Sequence, residues 1–299
     1  MNNPIIIGSR GSDLALWQAR HVQSQLAELG HEAEIKIIKT QGDKIQHLSF
    51  DKMEGKGFFT KEIENALLNK EIDLAVHSHK DLETTNPEGL VIAAVSEREN
   101  PADLLLVRKD CIDQNQKFDL KKDAVVGTSS ARRKAQILHF RPDVSIEDIR
   151  GNVNTRVQKL RDGKFDAILI ALAGIKRLEF DLSDLHVIEM DPTEFVPAPA
   201  QGVLGLQVRE DDSEIVEVLK KIDNEEVSQR VKVERGVLKI FNGGCQLPLG
   251  VYCVRKNGKF VVDAAMAEEW NTKVAKLHLE SETAEGLAQK IVDRLKKQL

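Results

Sequence analysis

A chain of 299 residues fits about two domains, with three smaller ones as the alternative, and its 41% hydrophobic and 30% charged residues supply packed cores and exclude a disordered chain. Lys plus Arg is 43 against 48 Asp plus Glu, a net charge of −5, which excludes a chain-wide nucleic-acid surface built on a basic excess. Three widely spaced cysteines, Cys111, Cys245 and Cys253, make neither a disulfide framework nor a CxxC zinc site, and they fit a reducing, cytoplasmic compartment.

The first residues lack a basic segment and a long apolar core, so Ile5-Ile6-Ile7 reads as a first strand closed by Gly8 and not as a signal peptide. No run of about 18 apolar residues predicts a membrane span. A helix enters at Ser12 or Asp13, carries Ala15, Val22, Leu26 and Leu29 on one face, and stops at Gly30. Glu34 to Lys39 predicts a strand. Thr40 to Phe59 has weak periodicity and holds Gly42, Gly55 and Gly57, a length that in compact domains marks a functional or mobile loop. A helix from Thr60 precedes strands at Ile72 to Val76 and Leu90 to Val95, and the polar stretch Ser96 to Pro101 marks a boundary.

A second βα series follows, with strands at Leu104–Val107, Ala124–Val126, Val144–Ile149 and Ala167–Ala171 and helices at Ser130–His139 and Asn152–Leu160. Pro192 to Pro199 holds three prolines and reads as a return linker to a strand at Gly202–Val208, assigned to the first sheet. A long helix, Glu225 to Phe241, ends at Asn242-Gly243-Gly244; three strands and a helix from Thr283 to Lys297 complete the chain. The expected architecture is α/β. Domain 1 comprises residues 1–98 and 199–222 and domain 2 residues 99–198, two βα lobes joined by a double crossover with a cleft between them. Domain 3, residues 223–299, is a small α+β domain.

Arginines stand where these strands end: Arg10 after the first, Arg132 and Arg133 after Gly127-Thr-Ser-Ser130, then Arg150, Arg156 and Arg177. In open α/β sheets ligands bind at the carboxyl ends of strands, where helix N-termini favour anions. Cations are disfavoured at helix N-termini unless an anion neutralises them, so this set implies a ligand with several carboxylates or phosphates. The turns 127–130 and 150–153 read equally well as anion cradles and as simple N-caps. His77-Ser-His79-Lys80-Asp81 ends a strand, and alternation puts His77, His79 and Asp81 on one face. A metal site there lacks a further His cluster, and His77 reads as a satisfied buried histidine. Asp81 is an acid at a strand exit in a basic setting, which marks a group kept for chemistry, with a turn-forming aspartate as the alternative. Cys245 lies in Gly243-Gly-Cys-Gln246, whose glycines permit a tight turn exposing the thiol, whereas Cys253 reads as a core residue.

Together these stretches resemble the porphobilinogen deaminase (hydroxymethylbilane synthase) family. The matching segments are Ser9-Arg10, Leu14-Ala-Leu-Trp-Gln18, Lys39-Thr-Gln-Gly-Asp-Lys44, Gly55-Lys-Gly-Phe-Phe59, His77-Ser-His-Lys-Asp81, Gly127-Thr-Ser-Ser-Ala-Arg-Arg133, Arg150-Gly-Asn-Val-Asn-Thr-Arg156, Ala173-Gly-Ile-Lys-Arg177, Pro199-Ala-Gln-Gly202 and Gly243-Gly-Cys-Gln246, in family order. The resemblance implies two lobes like periplasmic binding proteins plus a third domain. It implies a transferase that joins four porphobilinogen molecules head to tail, with loss of ammonia, onto a dipyrromethane cofactor bound covalently to Cys245. It further implies Asp81 as the catalytic residue, stabilising positive charge at the pyrrole N–H. Lys80, Ser129, Arg132, Arg133 and Arg150 match cofactor-binding positions. Arg10, Phe59, Arg156 and Arg177 match substrate-binding ones, with the loop ending at Phe59 acting as a lid.

The chain departs from the commonest pattern at Ile6, where some members have arginine, at His79, at Ala131, and at Leu82-Glu83, where a proline is usual. No metal, nucleic acid or membrane partner is expected, and a monomer is the expected state. Two other readings remain at this stage: an anion receptor of the same two-lobed fold, which leaves Cys245 and the third domain unexplained, and a metal hydrolase using His77 and His79.

Overall fold

The computed structural model describes residues 3–41, 60–244 and 246–299, which form two units. The first holds residues 3–41, 60–99 and 202–229, the second Asn100–Gln201 and Arg230–Leu299. In the first unit β1 (Ile5–Ser9), β2 (Ala33–Ile37) and β3 (Leu74–Ser78) run parallel. The strand β10 (Leu204–Arg209) lies antiparallel between β3 and β4 (Leu90–Val95), giving the order β2-β1-β3-β10-β4. Every residue of β10 is buried, which is why Leu204 to Val208 carries no polar alternation beyond Gln207. Helix α1 (Asp13–Glu28) packs Ala19, Val22 and Leu26 on Ile5, Ile7 and Leu74, while α2 (Lys61–Leu68) packs Ile63 and Leu67 in a separate cluster with Ile72 and Leu90. Ile6 joins that second cluster, so it occupies a packing position.

In the second unit β5 (Asp103–Arg108), β6 (Val125–Gly127), β7 (Ser145–Glu147), β8 (Ala167–Ala171) and β9 (Leu185–Glu189) form a sheet of order β7-β6-β8-β5-β9. β6 is parallel to β7 and β8, and β5 is antiparallel to β8 and β9. The two sheets therefore share one topology, each with the strand that follows a crossover inserted antiparallel at the fourth place. Helices α3 (Ala131–Phe140), α4 (Val153–Arg161) and α5 (Leu172–Arg177) follow β6, β7 and β8. The α/β class with a double crossover and a small α+β domain agrees with the sequence expectation.

Three elements were not expected. β9 is an edge strand with only Leu185 buried, α5 is a helix of six residues, and α6 (Ser213–Leu219) is a seven-residue helix capped by Asp212; each is too short or too exposed to print a clear period. At the C-terminal end, α7 (Glu225–Ile240) and α8 (Leu287–Lys296) enclose the core of the antiparallel sheet β11 (Leu249–Lys256), β12 (Lys259–Met266) and β13 (Ala275–Ser281).

The crossover back into the first sheet is tight. Gly202 has φ +89, and a Cβ there would stand 2.3 Å from the carbonyl oxygen of Glu99. Gly258 has a similar φ of +80 but nothing within 4 Å. Gly202→Ala is expected to combine left-handed strain with an overpacking cost of about 1–3 kcal/mol, whereas Gly258→Ala carries the strain alone. Thermal melting of the two variants checks this, and a loss at Gly202 no larger than at Gly258 would contradict the close approach.

Candidate functional site

The carboxyl ends of β7, β6 and β8 lie side by side, and the segments after them carry most of the predicted anion-binding residues. The first turns of α3, α4 and α5 contain no acidic residue, unlike those of α1 and α2, which hold Asp13, Glu62 and Glu64. These three helices thus lack the acidic first-turn residue that ordinarily offsets a helix N-terminus. The two Gly/Ser turns now separate. Asn152 is a simple cap of α4, accepting from the Thr155 N–H at 2.9 Å. Ser130, at the cap position of α3, makes no side-chain capping bond. Ser129 Oγ instead donates to the Ile149 carbonyl at 2.9 Å and ties the two loops together. Arg156 Nε donates to the Gly151 carbonyl at 2.8 Å, Arg150 is half-buried in the loop before α4, and Arg177 is buried at the end of α5.

Arg132 and Arg133 sit in the first turn of α3, as the sequence predicts, but their principal partner is internal. Asp103, at the head of β5, is 0% exposed. It accepts from Arg132 Nη1 at 2.6 Å, from Arg133 Nη2 at 2.7 Å and Nε at 3.1 Å, and from Gln201 Nε2 at 3.0 Å. Arg133 Nη1 is spent on the Leu169 carbonyl at 3.0 Å, and Arg132 Nη1 also reaches the Val196 carbonyl at 3.0 Å. Arg132 Nε is buried with no acceptor. Burial alone would raise the Asp103 pKa, but the two guanidiniums outweigh it and hold the group below the usual carboxylate range. Asp103 and Gln201 carried no role in the sequence reading. The available signal was an aspartate opening an otherwise apolar strand, Asp103-Leu-Leu-Leu-Val107.

In the first unit Arg10 follows β1 directly, and Lys80 and Asp81 lie in a 3-10 turn, His79–Asp81, directly after the neighbouring β3. The turn is anchored where His79 N–H donates to the Val203 carbonyl at 2.9 Å. Asp81 is exposed, and no described residue donates to its carboxylate. A turn-forming aspartate would capture a nearby backbone N–H, so this geometry counts against the turn reading. His77 is a satisfied buried residue: its Nε2 lies 3.1 Å from Gln207 Oε1, and burial pushes its pKa down to about 4, so the ring is neutral. Among the described residues no cluster of three His, Cys, Asp or Glu side chains can hold a metal ion.

Cys111 and Cys253 are both buried, and burial, followed by the bond from Cys111 Sγ to Asp166 Oδ1, pushes the Cys111 thiol up to about 11. Cys245 and Phe59 lie outside the described residues, as does segment 42–59, which holds most of the loop expected to act as a lid. Before Cys245, α7 closes through Asn242, whose φ is +51, with Gly243 N–H donating to the Leu238 carbonyl at 3.1 Å. The left-handed residue is therefore Asn242; Gly243 is small because a Cβ would stand 2.5 Å from Leu247 Cδ2. Among the described residues no helix is long and apolar enough to cross a membrane.

Residues 5–217 match the family model described as porphobilinogen deaminase, dipyromethane cofactor binding domain, and residues 228–297 match the model of the porphobilinogen deaminase C-terminal domain. The porphobilinogen deaminase of Nitratiruptor sp. is 45% identical over 88% of this chain and 83% of its own length. That of Desulforamulus reducens is 43% identical over 94% and 90%. That of Oceanobacillus iheyensis is 42% identical over 99% and 98%. Among solved structures, a putative methionine-binding lipoprotein of Bacillus subtilis covers 73% of this chain and 89% of its own at 12% identity, with a TM-score of 0.45. With sequence matches spanning nearly its whole length and the arginine-rich strand edges in place, the chain belongs to the porphobilinogen deaminase family.

Proposed function

We propose that the chain catalyses stepwise head-to-tail condensation of four porphobilinogen molecules onto dipyrromethane held covalently at Cys245, releasing ammonia and, by hydrolysis, hydroxymethylbilane. The observation that carries this reading is Asp81. It is an exposed carboxylate without a described donor, on the sheet edge that also bears Arg10 and Lys80. Such a group is available to accept from a pyrrole N–H and to stabilise positive charge on the reacting ring.

The donor set fits dipyrromethane, whose pyrroles bear acetate and propionate groups. Arg132 Nε is buried without an acceptor, and two guanidiniums against one carboxylate leave its cluster one surplus positive charge. When bound, dipyrromethane supplies the free pyrrole carbon at which chain growth starts. Lys80, Ser129, Arg132, Arg133 and Arg150 hold its carboxylates, and Arg10, Phe59, Arg156 and Arg177 serve the substrate and the growing chain. Burial of Cys111 and Cys253 supports Cys245 as the attachment point, since a thioether needs an accessible thiol. We read the protein as a cytoplasmic monomer without nucleic-acid or membrane partners. Its domains are residues 1–98 with 199–222, residues 99–198 and residues 223–299; the two family models, ending at 217 and starting at 228, support the last boundary.

Two experiments test the reading. Intact mass of the purified protein is expected to show an adduct of two pyrrole units, absent from Cys245→Ala and present in Cys253→Ala; an adduct on the Cys245→Ala protein refutes the attachment site. For Asp81, a preorganised charge at the reacting centre is worth about 3–4 kcal/mol, so Asp81→Asn, confirmed to carry the adduct, should lose about 10² to 10³ in turnover. Asp81→Glu keeps the charge and should retain more activity than Asp81→Asn. The opposite order, with asparagine tolerated and glutamate not, is the signature of a turn residue.

A further inference from the structure

Asp103 is committed to internal partners. Its carboxylate is fully buried and receives four hydrogen bonds, three from the two arginines and one from Gln201. Gln201 is itself fixed from two sides. Its Nε2 also donates to the Pro101 carbonyl at 2.7 Å, and the preceding Ala200 is held at φ +62 with its N–H donated to Glu234 Oε2 at 2.7 Å. The other oxygen of Glu234 accepts the Cys253 N–H at 2.8 Å. Glu234 is 0% exposed on α7, the helix that precedes Cys245 in the chain. A continuous set of buried bonds therefore runs from α7 and β11 through Ala200 and Gln201 to Asp103 and on to the arginine pair.

The two arginines are used unequally by this network. All three nitrogens of the Arg133 guanidinium are committed, two to Asp103 and one to the Leu169 carbonyl. Arg132 is held by Nη1 alone, and its Nε remains without an acceptor in a buried setting. A buried donor of this kind is costly unless a partner arrives. A long side chain fixed before its ligand binds also loses less freedom on binding.

We infer that Asp103 is a positioning residue for cofactor binding: it locks Arg133 as a brace and presents Arg132, with its unused Nε–H and the pair's single surplus charge, to one carboxylate of dipyrromethane. This inference rests on the deaminase reading, because that reading supplies the carboxylate. Asp103 touches no reacting atom. It sets both the geometry and the charge of the pair, since a second internal carboxylate would neutralise the pair and none would leave two buried cations repelling each other.

The test uses protein made without porphobilinogen, then incubated with porphobilinogen while the adduct is followed by intact mass. Asp103→Asn removes the charge and Asp103→Glu keeps it with altered reach. Gln201→Leu removes one bond to Asp103 and one to the Pro101 carbonyl but leaves all three charges, and it decides the matter if the Asp103 variants do not fold. At low porphobilinogen, Gln201→Leu should load at least about 10-fold more slowly than the parent, and Asp103→Asn more slowly still. Asp103→Glu should fall between Asp103→Asn and the parent. Raising porphobilinogen should narrow each gap. A merely structural role predicts instead that loading follows melting temperature and that variants melting like the parent load like it. Folded variants that load at the parental rate overturn the inference and leave the deaminase reading intact; a parent that acquires no adduct overturns both.

Discussion

One carboxylate enclosed between two guanidiniums governs the ligand edge of the second unit. Asp103 joins the head of β5 to the first turn of α3 and, through Gln201, to the segment that returns toward the first sheet. Removing one partner of such a buried set costs about 3–5 kcal/mol, because the remaining charge is stranded away from water. Yet an apolar trio of similar volume would serve stability as well or better, so the ion cluster is poor evidence for stability alone. Its value lies in what an apolar trio lacks: a fixed surplus positive charge and a buried donor at the start of a helix. Burial pushes the Arg132 pKa down, Asp103 opposes that shift, and the guanidinium remains a cation.

The shared strand order of the two sheets puts equivalent edges to different uses. On the first, parallel β1 and β3 deliver Arg10 and the Lys80-Asp81 turn, and the nearby helices α1 and α2 open with acidic residues. On the second, parallel β7, β6 and β8 deliver Ser129 and the arginines, and the helices open without acids. The βα unit provides the same ready-made position in both cases, a strand exit beside a helix start. The side chains placed there, and not the topology, set the charge each edge carries.

Much of this was legible in the sequence because it is local. Strands such as Leu90–Val95 and Ala167–Ala171 are short apolar runs bounded by polar turns, and their limits came out as observed. The positions of the arginines followed from the same βα periodicity. What escaped was non-local. Asp103 lies about thirty residues before Arg132 and Arg133 and about a hundred before Gln201, and no periodicity ties such residues together. The cations at the start of α3 do have a neutralising anion, and it is in part the protein's own carboxylate, Asp103. Within the expected helix end Asn242-Gly243-Gly244 the left-handed residue is Asn242, and a Cβ at Gly243 would meet Leu247.

Two aspartates illustrate how environment assigns opposite work to one side chain. Asp103 is saturated by permanent partners and is spent on organisation. Asp81 is exposed and accepts from no described residue. A group that must stabilise charge appearing only during reaction has to reach that moment un-neutralised, since a carboxylate already paired with a cation gains little from a second one. The second edge is a poor location for such a group: Asp103 is taken by two arginines, and Asp148, after β7, pairs with Lys134 at 2.8 Å. An acid placed among those cations is captured by them. Placing Asp81 on the other sheet, in a short turn whose backbone is pinned by a bond from His79 N–H to the Val203 carbonyl, keeps the carboxylate available.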